Sequence, residues 1–178
     1  MKNLFFTGRP GVGKTTLILD LMERIEERAG GFFTREIRER GQRVGFKVQD
    51  IRGAEGVMAH INHPGPHRVS RYGVDVQTLE AIALPALEWA MRESDWVVMD
   101  ELGRMELYSR PFQEMVLRVL DSTKRVLGVI QQADNSFLNA IRQRQDIQVF
   151  IVTPENRNHL LPVLEKAIKG KTIPPKRL

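Results

Sequence analysis

The sequence of 178 residues contains no cysteine. Disulfide bonds, thiolate metal sites and cysteine nucleophiles are therefore excluded, and the fold has to be stabilised by packing. No apolar run approaches the roughly 20 residues that a membrane-spanning helix needs, and the run at residues 4–6 is too short for the apolar segment of a signal peptide. We therefore expect a soluble, cytoplasmic protein that does not act at a membrane.

The charge balance does not by itself identify a partner. The 27 Lys and Arg residues against 22 Asp and Glu give a net charge of +5. A positive field favours nucleic acid, but it equally favours nucleoside triphosphates, and no basic stripe rich in aromatic residues indicates base stacking. Nucleic-acid binding is thus allowed but not favoured. The length suits one domain over residues 1–178, which we expect to be monomeric with a flexible tail at 170–178.

The strongest motif is a phosphate-binding loop at residues 8–15, where every fixed position of G-x-x-x-x-G-K-[ST] is filled. In such a loop, backbone N–H groups and the start of the following helix point at phosphate. Lys14 is expected to reach the β- and γ-phosphates, and Thr15 to bind a Mg²⁺ ion that bridges them. The nucleotide-binding residues predicted here are Gly8, Arg9, Pro10, Gly11, Val12, Gly13, Lys14, Thr15 and Thr16.

A second motif is an apolar strand that ends in two adjacent carboxylates, Asp100 and Glu101. In phosphate-loop enzymes, the first acid holds magnesium and a neighbouring glutamate can polarise the attacking water. Neighbouring strand residues point to opposite sides, which separates the two tasks; the alternative is an exposed acidic cap on the next helix. We predict Lys14 and Glu101 as catalytic, Thr15 and Asp100 as metal ligands, and further nucleotide contacts at Val97, Val98, Met99, Asp100, Glu101, Leu102, Gly103 and Arg104.

Hydrophobic periodicity predicts an α/β fold of three layers, αβα, with a mostly parallel sheet. Strands are predicted at residues 3–7, 31–38, 43–50, 96–100, 126–131 and 148–152, and helices at 14–28, 78–92, 111–122, 136–143 and 155–169. The charged turn at 38–43 predicts an antiparallel hairpin. Its arginines could face a ligand, but interleaved acids favour a solvated edge strand; the residues concerned are Arg35, Glu36, Arg38, Glu39, Arg40 and Arg43.

Several isolated residues leave alternatives open. Three histidines, His60, His63 and His67, flank a Pro/Gly loop, but without cysteine or a nearby acid they do not favour a zinc site. Gln131 either contacts the phosphate or water, or simply ends a strand beside that of Asp100. Arg104 could pair with a phosphate or with Glu106, and residues 153–157 either dock a base or form a cap. Spacing does not select an arginine finger among Arg110, Arg142, Arg144 and Arg157.

The sequence resembles the small nucleoside-triphosphatases first described from hyperthermophiles and represented in animals by the cancer-related nucleoside-triphosphatase. The resemblance rests on residues 7–16, 31–34 with 43–46, 100–107 and 155–162. It implies a RecA-like P-loop NTPase with Mg²⁺ as cofactor, which cleaves the γ-phosphate of several NTPs. The chain departs from the family at Ser70, where glycine is commoner, and the histidine loop lies outside the resemblance.

The predicted function is therefore Mg²⁺-dependent hydrolysis of ATP, GTP, CTP and UTP or TTP to the diphosphate and phosphate. One alternative is a nucleotide or small-molecule kinase, against which Glu101 counts, because a glutamate that activates water harms a kinase. Another is a regulatory ATPase associated with nucleic acid. A guanine-specific switch is disfavoured because the sequence has no Asn-Lys-x-Asp motif.

Overall fold

The computed structural model describes residues 2–25 and 27–169, apart from the side chain of Ala167, so the predicted tail at 170–178 lies outside the described residues. Strands and helices alternate along much of the chain. The strands are β1 (Asn3–Thr7), β2 (Ala29–Glu39), β3 (Gln42–Asp50), β4 (Glu55–His60), β5 (Arg68–Val69), β6 (Tyr72–Val74), β7 (Trp96–Leu102), β8 (Arg125–Ile130) and β9 (Ile147–Ile151). The helices are α1 (Lys14–Arg24), α2 (Val76–Glu93), α3 (Arg110–Asp121), α4 (Ser136–Arg142) and α5 (Arg157–Ile168), with a short 3₁₀ turn at Glu106–Tyr108.

The described strands form one sheet in the order β5-β6-β4-β3-β2-β7-β8-β1-β9. From β2 to β9 the neighbouring strands pair in parallel, whereas β3, β4, β6 and β5 extend the sheet by antiparallel pairing. The α/β class and the antiparallel hairpin are therefore confirmed. Strand β8 pairs with β7, the strand that carries Asp100, as predicted.

Helices cover both faces of the sheet, which confirms the three-layer architecture. On one face, α2, α3 and α4 contribute Leu79, Phe112 and Leu138 to a continuous apolar core. On the other, Leu17 of α1 and Leu164 of α5 belong to a second core. The alternating side chains of β7 reach both cores, since burial on two faces requires a strand that is apolar throughout.

The prediction of a charged edge strand at the hairpin is wrong. Strand β2 lies between β3 and β7, and β3 lies between β2 and β4, so both are interior. The three strands beyond β3 carry weak sequence signals, because β5 and β6 have only two and three residues and β4 has a glutamate, a glycine and a histidine among its six. The charges instead belong to the exposed tip of the hairpin, where Glu36 pairs with Arg38 and Arg43.

Predicted helix boundaries agree with the structure within about two residues except in α1, which ends at Arg24 rather than at residue 28. Ile25 already has extended backbone angles, and the chain then enters β2 at Ala29. Of the helices described, none is both long and apolar enough to cross a bilayer.

Since β1, β7 and β8 are parallel, their carboxyl ends meet at one edge of the sheet, where ligands bind in open α/β folds.

Candidate active site

The phosphate loop follows β1 directly and leads into α1. Gly8 and Gly13 have φ angles of 147° and 100°, which residues other than glycine rarely adopt. A Cβ atom on Gly8 would also lie 2.4 Å from the carbonyl oxygen of Val152. Lys14 Nζ donates to the carbonyl oxygens of Gly8 (2.9 Å) and Arg9 (3.0 Å), so the ammonium charge lies inside the curve of the loop.

Thr15 and Asp100, the two predicted metal ligands, are in direct contact. Thr15 Oγ1 donates to Asp100 Oδ2 at 2.5 Å, which joins the start of α1 to the end of β7. Asp100 is only 3% exposed, and burial raises its pKa to about 7; the hydrogen bond from Thr15 opposes this shift, while the charge of Glu101 adds to it. A hydroxyl and a buried carboxylate form an oxygen-only donor set, which fits Mg²⁺.

Glu101 has a different partner from Asp100, although the two residues are adjacent and joined by a cis peptide bond. Gln131, just after β8, donates from Nε2 to Glu101 Oε1 at 2.5 Å. The Oε1 atom of Gln131 accepts from the backbone N–H of Arg104 at 3.2 Å. Gln131 is therefore more than a strand end, because it fixes the half-buried Glu101 carboxylate at the edge of the site.

Glu106 is a third carboxyl group near the pair, and its only predicted role is as a partner for Arg104. Its Oε2 atom accepts from the backbone N–H of Gly103 at 3.1 Å, and the residue is 3% exposed. Burial, followed by the negative charge of Glu101, raises its pKa to about 8. The ion pair with Arg104 does not occur among the described side chains. The sequence signal was an acid flanked by the apolar residues Met105 and Leu107.

One of the four arginine-finger candidates lies on the phosphate loop. Arg157, the first residue of α5, places Nη1 3.5 Å from the carbonyl oxygen of Val12 and against Gly13. The others are engaged elsewhere: Arg110 pairs with Glu114, Arg144 pairs with Asp121 and Asp146, and Arg142 donates to the carbonyl oxygens of Gln131 and Ala133. Tertiary structure thus distinguishes residues that spacing does not.

Arg35 lies near the site, although the sequence placed it only among the arginines of the hairpin. Arg35, on β2 beyond the residue paired with Asp100, carries a positive charge that acts to lower the pKa of Asp100. No sequence motif marks it, because its place depends on the pairing of β2 with β7.

At residues 153–157, Thr153 and Asn156 exchange side-chain to backbone hydrogen bonds, which supports the cap interpretation.

Not every residue of the acidic strand faces the site. Val97, Val98, Met99 and Leu102 have no exposed surface and belong to the two apolar cores. Their burial holds β7 in place, so that its carboxyl end presents Asp100 and Glu101. Gly103 lies against Gln131, because a Cβ atom there would be 2.5 Å from that side chain.

The histidine region runs from the end of β4 to the start of the β5–β6 hairpin. His60 Nδ1 accepts from the backbone N–H of Asn62, and His67 stacks on Tyr108 with ring centroids 4.6 Å apart. Within residues 2–25 and 27–169, no three His, Asp or Glu side chains form a metal-binding cluster. Ser70, at the turn between β5 and β6, has a φ of 54°, a left-handed conformation that glycine adopts readily.

The chain is similar to known proteins over most of its length. A family model described as NTPase matches residues 3–164. The nucleoside-triphosphatase THEP1 of Thermotoga sp. strain RQ2 is 43% identical over 166 residues, which cover 93% of this chain and 95% of that protein. The human cancer-related nucleoside-triphosphatase is 39% identical over 185 residues, covering 95% and 97% respectively.

A solved structure shows the same fold. The crystal structure of THEP1 from Aquifex aeolicus superimposes with a TM-score of 0.84 at 34% identity and covers 91% of this chain and 96% of the other. The fold is thus that of a P-loop NTPase. The chain belongs to the nucleoside-triphosphatase family and is an enzyme of that family.

Proposed function

We propose that this enzyme uses Mg²⁺ to hydrolyse the γ-phosphate of several nucleoside triphosphates without a partner protein. The observation that carries the proposal is the contact between Thr15 and Asp100, which brings the phosphate loop against the acidic strand. Lys14 and Glu101 lie beside this contact in sequence and belong to the same edge of the sheet. This contact supports a site in which a phosphate anchor, a metal-ligand pair and a general base would act together at one edge of the sheet.

The phosphate loop would bind the triphosphate and stabilise its charge. Backbone N–H groups at residues 8–16, except at Pro10, and the Lys14 ammonium would neutralise the charge that grows on the bridging oxygen as its bond to the γ-phosphorus breaks. Arg157 would add positive charge beside the same loop. Thr15 and Asp100 would hold Mg²⁺, which supplies charge neutralisation at the β- and γ-phosphates.

Glu101 would orient and deprotonate the attacking water. Water oxygen forms the new bond to the γ-phosphorus, the water proton passes to the Glu101 carboxylate, and the diphosphate leaves. Gln131 keeps the carboxylate in one orientation through its 2.5 Å hydrogen bond. Since Val97, Val98, Met99 and Leu102 are buried, we narrow the proposed nucleotide contacts on this side to Asp100, Glu101 and residues 103–104.

We propose broad base tolerance, with ATP, GTP, CTP and UTP or TTP as substrates. The residues that support catalysis here address the phosphates, and the sequence has no Asn-Lys-x-Asp motif for guanine. We further propose a cytoplasmic monomer with one domain. A cysteine-free chain suits a reducing compartment, and nothing in the proposed chemistry requires nucleic acid.

Phosphate release from ATP, GTP, CTP and UTP tests the proposal, with Mg²⁺ or with EDTA, for the wild type and two variants. Glu101→Gln should bind NTP normally and lose about 10²- to 10⁴-fold in kcat, because it removes the general base. Lys14→Ala should lose both binding and turnover. Glu114→Gln, on the exposed side of α3, is the matched control for loss of a carboxylate.

The proposal fails if Glu101→Gln hydrolyses NTPs at the wild-type rate. Transfer of labelled γ-phosphate to an added nucleoside or nucleoside monophosphate, without phosphate release in its absence, would instead establish a kinase. Release that requires added RNA or DNA would establish a nucleic-acid-stimulated ATPase.

A further inference from the structure

An open cavity of about 360 Å³ lies beside the proposed hydrolytic centre; it shares no residue with the phosphate loop, and Arg104 is the one residue it shares with the proposed nucleotide contacts after β7. It is formed where the β5–β6 hairpin meets the segment after β7 and the segment after β8. The lining residues are Arg68, Val69, Ser70, Arg104, Leu107, Tyr108 and Asn135. This volume falls within the range of small-molecule sites, which is about 300–1,000 Å³.

The cavity has a positive lining. Arg68 and Arg104 come from different elements but line the same space, and none of the lining side chains is acidic. The Arg68 guanidinium donates to the carbonyl oxygens of Arg71 (2.8 Å) and His63 (3.4 Å), which leaves its charge without a carboxylate partner among the described residues. Guanidinium groups bind phosphate through charge-assisted hydrogen bonds. The lining therefore selects an anion.

The cavity also has an aromatic wall. Tyr108 lines the cavity and is 41% exposed, so its ring is accessible to a ligand. Its ring stacks on His67, and its hydroxyl donates to the carbonyl oxygen of Arg68 at 2.8 Å, so the hairpin and the 3₁₀ turn are held together. Exposed aromatic rings bind planar ligands such as nucleobases by stacking.

We propose that this cavity is a second ligand site that takes a small phosphorylated molecule with a planar ring, of the nucleoside monophosphate class. The arginines bind its phosphate and Tyr108 stacks on its ring. A mononucleotide fits better than a nucleic-acid strand, because the two arginines line one cavity of about 360 Å³ rather than a long groove. The site borders the hydrolytic centre, since the backbone N–H of Arg104 contacts Gln131, which in turn holds Glu101.

Isothermal titration with AMP tests the site without any requirement for hydrolysis. AMP should bind the wild type and Lys14→Ala with the same Kd, because the phosphate loop is not involved. Arg104→Ala should weaken binding roughly tenfold or more through loss of a charge-assisted contact. Its exposed side chain makes no hydrogen bond within the described residues, so this variant should fold; Arg68→Ala provides the second test. Arg92→Ala, exposed on α2 outside the cavity, is the charge-matched control.

Inorganic phosphate and an RNA oligonucleotide are two further test ligands. Phosphate separates the contribution of the arginines from that of the aromatic ring. Inorganic phosphate should bind more weakly than AMP, since it lacks a ring to stack on Tyr108. The proposal is overturned if AMP does not bind, if Lys14→Ala abolishes binding, if Arg104→Ala binds AMP normally, or if an RNA oligonucleotide binds while AMP does not. Failure of the proposed hydrolase would appear separately, as unchanged phosphate release by Glu101→Gln.

Discussion

Replacement of Glu106 by Gln should make the protein more resistant to alkaline pH. Glu106 is 3% exposed, accepts a hydrogen bond from the backbone N–H of Gly103, and has a pKa raised to about 8, first by burial and then by the charge of Glu101. A glutamine has nearly the same shape, and its carbonyl oxygen can accept the same hydrogen bond. The substitution therefore removes the ionisation of this side chain and keeps its packing.

The sign follows from the two pKa values. Between the ordinary value of 4.5 and the folded-state value of about 8, the folded protein keeps a proton that the unfolded chain has released. The resulting stabilisation is fully present below pH 4.5 and is lost as the pH rises through 8. At 1.36 kcal/mol for each pKa unit, Glu106 should lower the free energy of unfolding by about 4 kcal/mol between pH 5 and pH 8.5.

Urea unfolding of the nucleotide-free protein in EDTA, at pH values from 5 to 8.5, measures this effect. The difference in free energy of unfolding between Glu106→Gln and the wild type should shift in favour of the variant by about that amount, because groups that titrate alike in both proteins cancel in the difference. Glu114→Gln is the control for removal of an exposed carboxyl group. A difference between Glu106→Gln and the wild type that stays constant across the range would refute the reasoning.

Two other substitutions test the packing and the chemistry of the site. Gly31→Ala should cost about 3 kcal/mol or more in urea unfolding, because φ is +122° and the new Cβ would lie 2.1 Å from the carbonyl oxygen of Val98. Gly53→Ala, with positive φ but open space around it, should cost only about 1–2 kcal/mol, and equal losses would contradict the steric argument. Gln131→Ala should lower kcat about tenfold to a hundredfold with little change in KM, because Glu101 loses its orientation. If Gln131 acts only through Glu101, adding Gln131→Ala to Glu101→Gln should cost little more.

Local patterns predicted the elements whose signals are long and regular. The strands at β1, β7 and β8, the hairpin of β2 and β3, and the helices that cover the sheet were all visible in hydrophobic periodicity. The strands β4, β5 and β6 were not visible, because β5 and β6 are very short and the apolar residues of β4 are consecutive and flanked by glycine and charged or polar residues. Missing them led to the wrong edge-strand interpretation of the hairpin.

The sequence by itself determined the phosphate loop and the acidic pair, because both are contiguous motifs whose chemistry depends on neighbouring residues. Only the tertiary structure decided which residues accompany them. Gln131 reaches Glu101, Arg157 reaches the loop, and Arg68 shares a cavity with Arg104, each across many intervening residues. Likewise the raised pKa values of Asp100 and Glu106 arise from burial. Strand order and packing set these distances and this burial, and no local pattern encodes either.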